Sequence, residues 1–357
     1  MRRREFIKVS TLLGAGATAS PAFLLGGCAA KPMPGAGVVT STPTICDICF
    51  WKCAGHVFKE DDELWKITGT EDDLHSGGRL CTRGTGGPGA YLDKDRLKKP
   101  LMRATVDGKQ TFREATWDEA LEYIAAKMRS IAETAGPERL VMINHGAGSS
   151  HFRHLLRAYG SDSRAEPAFA QCRGPRDVGF GLTFGESASS PERTDMANSR
   201  CIVLLGSHIG ENLHNGQVQT LAEALNKDVT LITVDPRFSV PAGKSKYWLP
   251  IKPGTDIALL LAWMHVLIDE NLYDKDYVER YTVGFEQLAK HVRDYTPEWV
   301  YPETGIKPNV IRETAREMAK AAPATVVHPG RHATWYGDDT PVSYTHLRAH
   351  ETASFSA

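Results

Sequence analysis

"RCIVLLGSHIGENLHNGQVQTLAEALNKDVTLITVDPR", residues 200–237, decides the fold class. It opens on an unbroken apolar run, crosses a loop, passes through the helix-like "GQVQTLAEALN" and returns to a second apolar run that ends at "DPR". Strands buried on both faces read as continuous Val/Ile/Leu runs, and a helix between two of them makes the strands parallel neighbours. The same alternation extends in both directions. Downstream, "TDIALLLAWMHVLIDEN" is a helix, residues 275–322 are mainly helical, and "PATVVHPGR" supplies another buried strand. Upstream, Thr116 and Glu119 form a capping box, and Leu121, Ile124, Met128 and Ile131 recur at helical spacing up to Gly136-Pro137, which predicts a helix over 117–134. "RLVMINHG" (139–146) then reads as a buried strand and "SSHFRHLLRAYG" (149–160) as a capped helix. The fold class is α/β, with doubly wound, Rossmann-like units.

The 357 residues suffice for two or three such units. Lys plus Arg (42) and Asp plus Glu (43) nearly cancel and form no basic runs, so no nucleic-acid partner is expected. Residues 1–30 look like an export address. Arg3, Arg4, Phe6, Ile7 and Lys8 match the twin-arginine pattern R-R-x-F-I-K ahead of a mildly apolar stretch. Within it, "LGGC" (25–28) half-resembles a lipoprotein box with Cys28 as acyl acceptor. A Pro/Gly/Ser/Thr-rich linker (31–43) follows, then a small β-rich, loop-dominated unit (44–105). We assign 106–165 and 324–340 to a first α/β unit and 166–323 to a second. Residues 341–357 have no apolar period and read as a non-native tail, with the natural sequence truncated near Thr340.

The small unit holds four of the seven cysteines, spaced Cys46-x2-Cys49-x3-Cys53 and then, after 27 intervening residues, Cys81. In an exported chain a disulfide framework is the ordinary use of cysteine. Structural zinc also takes four thiolates, usually as two short pairs far apart. Three thiols on one loop with a fourth on a Gly-rich loop suit a [4Fe–4S] cluster, each iron of which needs one Cys. Export in the folded state would let such a cluster be inserted before the chain meets an oxidising compartment. Elsewhere, Cys201 lies in an apolar run and reads as core, and no G-x-G-x-x-G follows any strand, which disfavours a nicotinamide site.

The cysteine pattern, "LCTRGTGGPGAYLDKDRLKKPLMR" (80–103), "LITVDPRFSVPAGKSKYWLPIKPGTDIALLLAWMHVLI" (231–268) and "GRHATWYGDDT" (330–340) resemble the dimethyl-sulfoxide-reductase family of molybdopterin enzymes. Within that family, "AQCRGPRDVGFG" (170–181) and "LLGSHIGEN" (204–212) are most similar to catalytic subunits of thiosulfate and polysulfide reductases. The resemblance implies a [4Fe–4S] cluster on Cys46, Cys49, Cys53 and Cys81, and a bis-molybdopterin guanine dinucleotide carrying molybdenum or tungsten. It also implies a further C-terminal domain that is missing here. Cys172, flanked by Arg173 and Arg176, becomes the metal ligand, since nearby positive charge favours the thiolate that a soft metal binds. Gly206, His208, Glu211, Asn212, Asp235, Arg237, Gly254 and Asp256, all at strand ends or a helix start, become the cradle of one dinucleotide tail. His208 stands where many members have Asn. Arg83, between cluster and pterin, becomes an electron-relay residue. His145 and Arg331 become the groups that bind an anionic sulfur substrate, with His145 able to deliver protons.

The activity implied is reductive cleavage of an S–S bond in thiosulfate, polysulfide or a related sulfur oxyanion. Formate oxidation and reduction of arsenate or tetrathionate are the alternatives within the family. Against formate, formate dehydrogenases carry His directly after the ligating Cys or selenocysteine, where this chain has Arg173. A non-enzymatic [4Fe–4S] electron-transfer module would need no dinucleotide sheet. The implied partners are an iron-sulfur electron-transfer subunit and a quinone-linked membrane anchor subunit. The implied location is the periplasm or the outer face of the cytoplasmic membrane.

Overall fold

The computed structural model describes residues 37–49, 51–144, 149–166, 174–185, 194–207, 209–210 and 215–330. A three-stranded antiparallel sheet comes first: β1 (Val39–Ile45), β2 (Ala54–Glu60) and β3 (Glu63–Gly69), in that spatial order. Residues 39–43, expected to be linker, belong to β1 and pair with β2. Val39, Thr40 and Thr42 are β-branched and favour extended backbone, and Pro43 is tolerated because β1 lies at the sheet edge. After β3 the chain winds through turns to two short helices, α1 (Thr82–Thr85) and α2 (Gly87–Tyr91).

β4 (Leu101–Val106) and β5 (Lys109–Glu114) form a hairpin turned by Asp107-Gly108, both at positive φ as a two-residue hairpin turn requires. The expected boundary at 105/106 therefore cuts through one hydrogen-bonded unit and is corrected. Helix α3 (Trp117–Ala135) starts where the capping box puts it, with Thr116 Oγ1 accepting from the Glu119 N–H at 3.2 Å. The expected buried strand over 139–146 differs. Among its described residues (139–144) only β6 (Met142–Ile143) is strand, it pairs with β7 (Arg164–Ala165), and Ile143 is 75% exposed. A two-strand pairing this short has too little surface to bury its apolar residues. Between them runs α4 (Ser150–Tyr159), closed by the left-handed Gly160, and beyond them lies α5 (Gly174–Phe184).

The remaining elements build the main core. In chain order they are β8 (Cys201–Leu205), α6 (Asn215–Leu225), β9 (Thr230–Val234), β10 (Tyr247–Leu249), α7 (Asp256–Asp269), α8 (Lys275–Tyr281), α9 (Phe285–Val292), α10 (Pro297–Thr304), α11 (Pro308–Lys320) and β11 (Thr325–Pro329). The four strands are parallel, in the order β10-β9-β8-β11. Alternation along each strand divides the core in two. Cys201, Val203, Leu205, Ile232 and Val327 face a cluster built with α7, α10 and α11, while Ile202, Leu204 and Leu231 meet Met196, Ile209 and α6. Both faces are covered, as expected of a doubly wound sheet. Trp263 lies within the larger cluster, its indole N–H donating to Thr314 Oγ1 at 2.9 Å.

One assignment is corrected here: residues 325–329 were expected with 106–165 and instead pair with β8. Apolar residues suit both sides of this position, Val327 entering the α7-side core while its neighbours point the other way. This strand also sets the site. From β8 the chain steps to β9 and β10 in one direction, then returns to place β11 on the other side of β8. Ligands in open α/β sheets sit at the carboxyl ends of the strands where the order reverses. At that point the Gly330 N–H donates to Leu205 O at 2.9 Å, and a Cβ on Gly330 would lie 2.1 Å from the same oxygen. Gly206 takes φ +58° beside it. Two backbones touch there because neither carries a side chain.

Gly330→Ala should therefore lower the urea midpoint, with an overpacking cost of about 1–3 kcal/mol. Gly89→Ala, where a Cβ meets nothing within 4 Å, should stay within about 0.5 kcal/mol of the parent. Equal midpoints for the two variants would contradict the close approach.

Candidate cluster and cofactor site

Cys46, Cys49 and Cys53 lie on the loop between β1 and β2. The Cys46 N–H donates to Cys53 O at 2.8 Å, which closes the loop so that its first and last thiols share one side. Lys52 makes the tight return at φ 51° and pairs with Asp47. Cys81 caps α1, and one turn on, the Gly84 Cα lies close enough to Cys46 that an added Cβ would sit 3.4 Å from its Sγ. The Cys53 thiol is pushed up first by its own burial, then by Cys49, Cys46, Asp73 and Cys81. All three other candidate ligands are thus near enough to resist a charge on Cys53.

All four are free thiols. Among the described residues no three His, Cys, Asp or Glu side chains are close enough to hold a single metal ion. Four thiolates on one zinc stand ~3.8 Å apart, as follows from a Zn–S bond of about 2.3 Å in a tetrahedron. A cubane, binding one thiolate at each of four irons, keeps its sulfurs farther apart. Three thiols on one loop with a fourth on another, rather than two short pairs, suit a [4Fe–4S] cluster.

At the carboxyl ends of the sheet, Gly206 follows β8 and Asp235 follows the adjacent β9. Asp235 is 4% exposed; its Oδ1 accepts the Arg237 N–H at 2.8 Å, its Oδ2 lies 3.5 Å from the Arg237 guanidinium, and its carbonyl takes the Trp248 indole N–H at 2.8 Å. Thr233 Oγ1 and Ser239 Oγ, within four positions of Asp235, are buried with no hydrogen-bond partner in the protein. Gly254, at φ +83°, leads into α7, whose first turn holds the buried Asp256. The structure thus brings Gly206, Asp235, Arg237, Gly254 and Asp256 to one end of the sheet, with unsatisfied hydroxyls among them. That donor and acceptor set fits a nucleotide tail.

His208, Glu211, Asn212, His145, Cys172 and Arg331 lie outside the described residues. The described residues beside His145 and beside Arg331 make contacts in two separate places. Asn144, directly before His145, donates through its side chain to Glu166 and to Ser149 Oγ, the latter at 3.3 Å. Because β6 and β7 are parallel, the segments leading to His145 and Cys172 leave from the same end. Gly330, directly before Arg331, lies against Gly206.

Arg83 is half-buried, and its Nε and one Nη are shielded from solvent without a hydrogen-bond partner. A cation in that state invites an anionic ligand. Asp73, Ser76 and Gln219, which connect the cysteine loop to α6, are functional candidates that sequence reasoning missed. The one signal was Asp73 three positions before Ser76 ahead of Gly77-Gly78, a turn pattern shared by many loops.

Residues 39–90 match the molybdopterin oxidoreductase Fe4S4 domain and residues 96–341 the molybdopterin oxidoreductase family. The chain is 35% identical, over 93% of its length, to the thiosulfate reductase molybdopterin-containing subunit of Salmonella typhimurium, and covers 43% of that protein. It is 28% identical, over 80% of its length, to the F420-dependent formate dehydrogenase 1 subunit alpha of Methanococcus maripaludis, covering 42%. Acetylene hydratase from Pelobacter acetylenicus superposes with a TM-score of 0.71 at 27% identity, over 86% of this chain and 43% of that one. The chain spans less than half the length of each.

Cys201 provides an internal control. It is fully buried in β8, and burial, with Glu317 adding and Lys246 opposing, pushes its thiol to about 12. Since its ordinary value is 9.0, the stability it contributes is complete below pH 9 and is lost as pH rises toward 12. In iron-free folded protein at about pH 8, iodoacetamide should modify Cys46, Cys49 and Cys81 and leave Cys201 untouched until the chain is unfolded. Equal labelling of Cys201 would contradict its place in the core.

Proposed function

This chain belongs to the molybdopterin oxidoreductase family, with that family's Fe4S4 domain, [4Fe–4S] cluster and molybdopterin cofactor, and from that membership we propose that the whole protein is an exported reductase that cleaves S–S bonds. Its substrate class is thiosulfate, polysulfide or a related sulfur oxyanion. The observation that carries the reading is Arg83. Two of its guanidinium nitrogens are shielded from water and unpartnered in the protein, two positions after a candidate cluster cysteine, which supports contact with an anionic pterin and a part in electron passage from the cluster. Similarity to a thiosulfate reductase subunit over 93% of the chain supports the substrate class.

When bound, the pterin-held molybdenum or tungsten supplies the two-electron chemistry. The chain's residues do the rest. Cys46, Cys49, Cys53 and Cys81 hold the cluster. Gly206, Asp235, Arg237, Gly254 and Asp256, with His208, Glu211 and Asn212, hold one guanine dinucleotide of a bis-dinucleotide cofactor. Cys172 offers a soft thiolate to the metal. Arg331 grips the oxyanion end of the substrate, and His145 gives a proton to the departing sulfur. Thiosulfate cleavage takes up two electrons and two protons and yields sulfite and hydrogen sulfide.

Export folded by the twin-arginine route to the periplasm, and electrons drawn from a quinone-linked membrane anchor through an iron-sulfur subunit, complete the proposal. Formate oxidation is the second reading, favoured by the formate dehydrogenase similarity and disfavoured by Arg173 directly after Cys172.

The test is turnover of the full-length natural enzyme with thiosulfate, polysulfide, tetrathionate, arsenate and formate. Sulfur substrates should be reduced. Cys172→Ser should abolish turnover with the cluster spectrum intact, and Arg331→Ala should cost roughly 1.5–3 kcal/mol in kcat/KM, with Arg331→Lys only partly restoring it. Formate turnover alone, or an active Cys172→Ser enzyme, would contradict the proposal.

A further inference from the structure

The turn between β3 and α1 is organised by one carboxylate. Asp73 Oδ2 accepts the N–H of Ala54, the residue directly after Cys53, at 3.0 Å, and the Ser76 hydroxyl at 2.6 Å. Its Oδ1 accepts the His75 N–H at 3.0 Å, and its backbone carbonyl accepts the Gly77 N–H at 2.8 Å. Ser76, fully buried, presents its own carbonyl to the side-chain amide of Gln219 on α6. Helix α6 begins directly after the loop that carries Gly206, His208, Glu211 and Asn212. A short relay, Cys53–Ala54 to Asp73 to Ser76 to Gln219, therefore runs from the cysteine loop to the flank of the dinucleotide loop.

We propose that Asp73 is a positioning residue that holds the cluster loop through the Ala54 N–H, lowers the cluster's reduction potential by its charge, and docks the cluster unit on α6 through Ser76 and Gln219. The proposal rests on Cys46, Cys49, Cys53 and Cys81 being the cluster ligands. Three donors converge on this carboxylate, a charge-assisted arrangement that holds a turn more firmly than neutral hydrogen bonds do. A fixed negative charge beside a cluster disfavours the added electron, since net charge and hydrogen bonding around the ligands set cluster potentials. The same charge opposes ionisation of the Cys53 thiol.

The test uses the full-length natural holoenzyme, purified anaerobically, with the cluster potential read by EPR-monitored redox titration. Iron content of the parent comes first. A parent without a cluster refutes the ligand reading and, with it, this proposal, whereas a parent with one isolates Asp73. Asp73→Asn keeps an acceptor oxygen and removes the charge, and should shift the one-electron equilibrium about tenfold toward the reduced cluster, ~59 mV upward, at unchanged iron content. Gln219→Ala keeps the charge and should leave the potential at the parent value while accelerating amide exchange across residues 70–81. If Asp73→Asn does not retain iron, Asp73→Glu restores the charge and should recover both iron and the parent potential. A parent-like potential in Asp73→Asn, unchanged exchange in Gln219→Ala, or a Glu variant that recovers neither property would overturn the proposal.

Discussion

Cys53 is disfavoured from ionising where it sits. Burial, three neighbouring thiols and the Asp73 carboxylate all oppose a negative charge on its sulfur, yet only the thiolate binds metal. A charge on Cys53 is favoured only when positive charge enters beside it, so metal insertion and deprotonation of this thiol are one event. The local structure serves that constraint. Cys46 and Cys53 are tied through the backbone, Gly84 leaves room for the Cys46 sulfur, and Asp73 holds the residue after Cys53 from behind.

The α/β half solves a different problem, how to bring backbone amides and polar groups to one crevice. A sheet buried on both faces leaves its strand ends as the places where polar groups can face a ligand. The reversal of strand order between β8 and β11 opens that crevice, and the Gly206–Gly330 contact brings its two walls together. Asp235 reaches it from β9 and Gly254 from the start of α7. The Ser76–Gln219 contact joins the cysteine-bearing unit to α6. The cysteine-bearing unit is therefore connected to the helix that follows the 206–212 loop.

Much of this was legible in the sequence because its signals are local. The capping box at Thr116, the apolar runs of β8 and β9 and the cysteine spacing each depend on residues close along the chain. What was not legible depends on partners far away in sequence. That residues 325–329 would pair with β8 required knowing where the chain goes after five helices. The first strand was hidden because Ser, Thr and Pro read as linker until β2 offers a hydrogen-bonding edge. Over 139–144 the regular strand is only two residues long, and an apolar run does not reveal how short a partner strand lies across from it. Asp73 and Gln219 carried no motif, and their roles arise from proximity alone.

The most direct measurement is metal analysis of the full-length natural protein purified without oxygen, combined with EPR of the reduced sample. About four irons assignable to the site of Cys46, Cys49, Cys53 and Cys81, with the signal of a reduced [4Fe–4S] cluster and molybdenum or tungsten bound with pterin, is the expected result. Zinc at the four cysteines, or a protein that binds neither iron nor pterin, would contradict it.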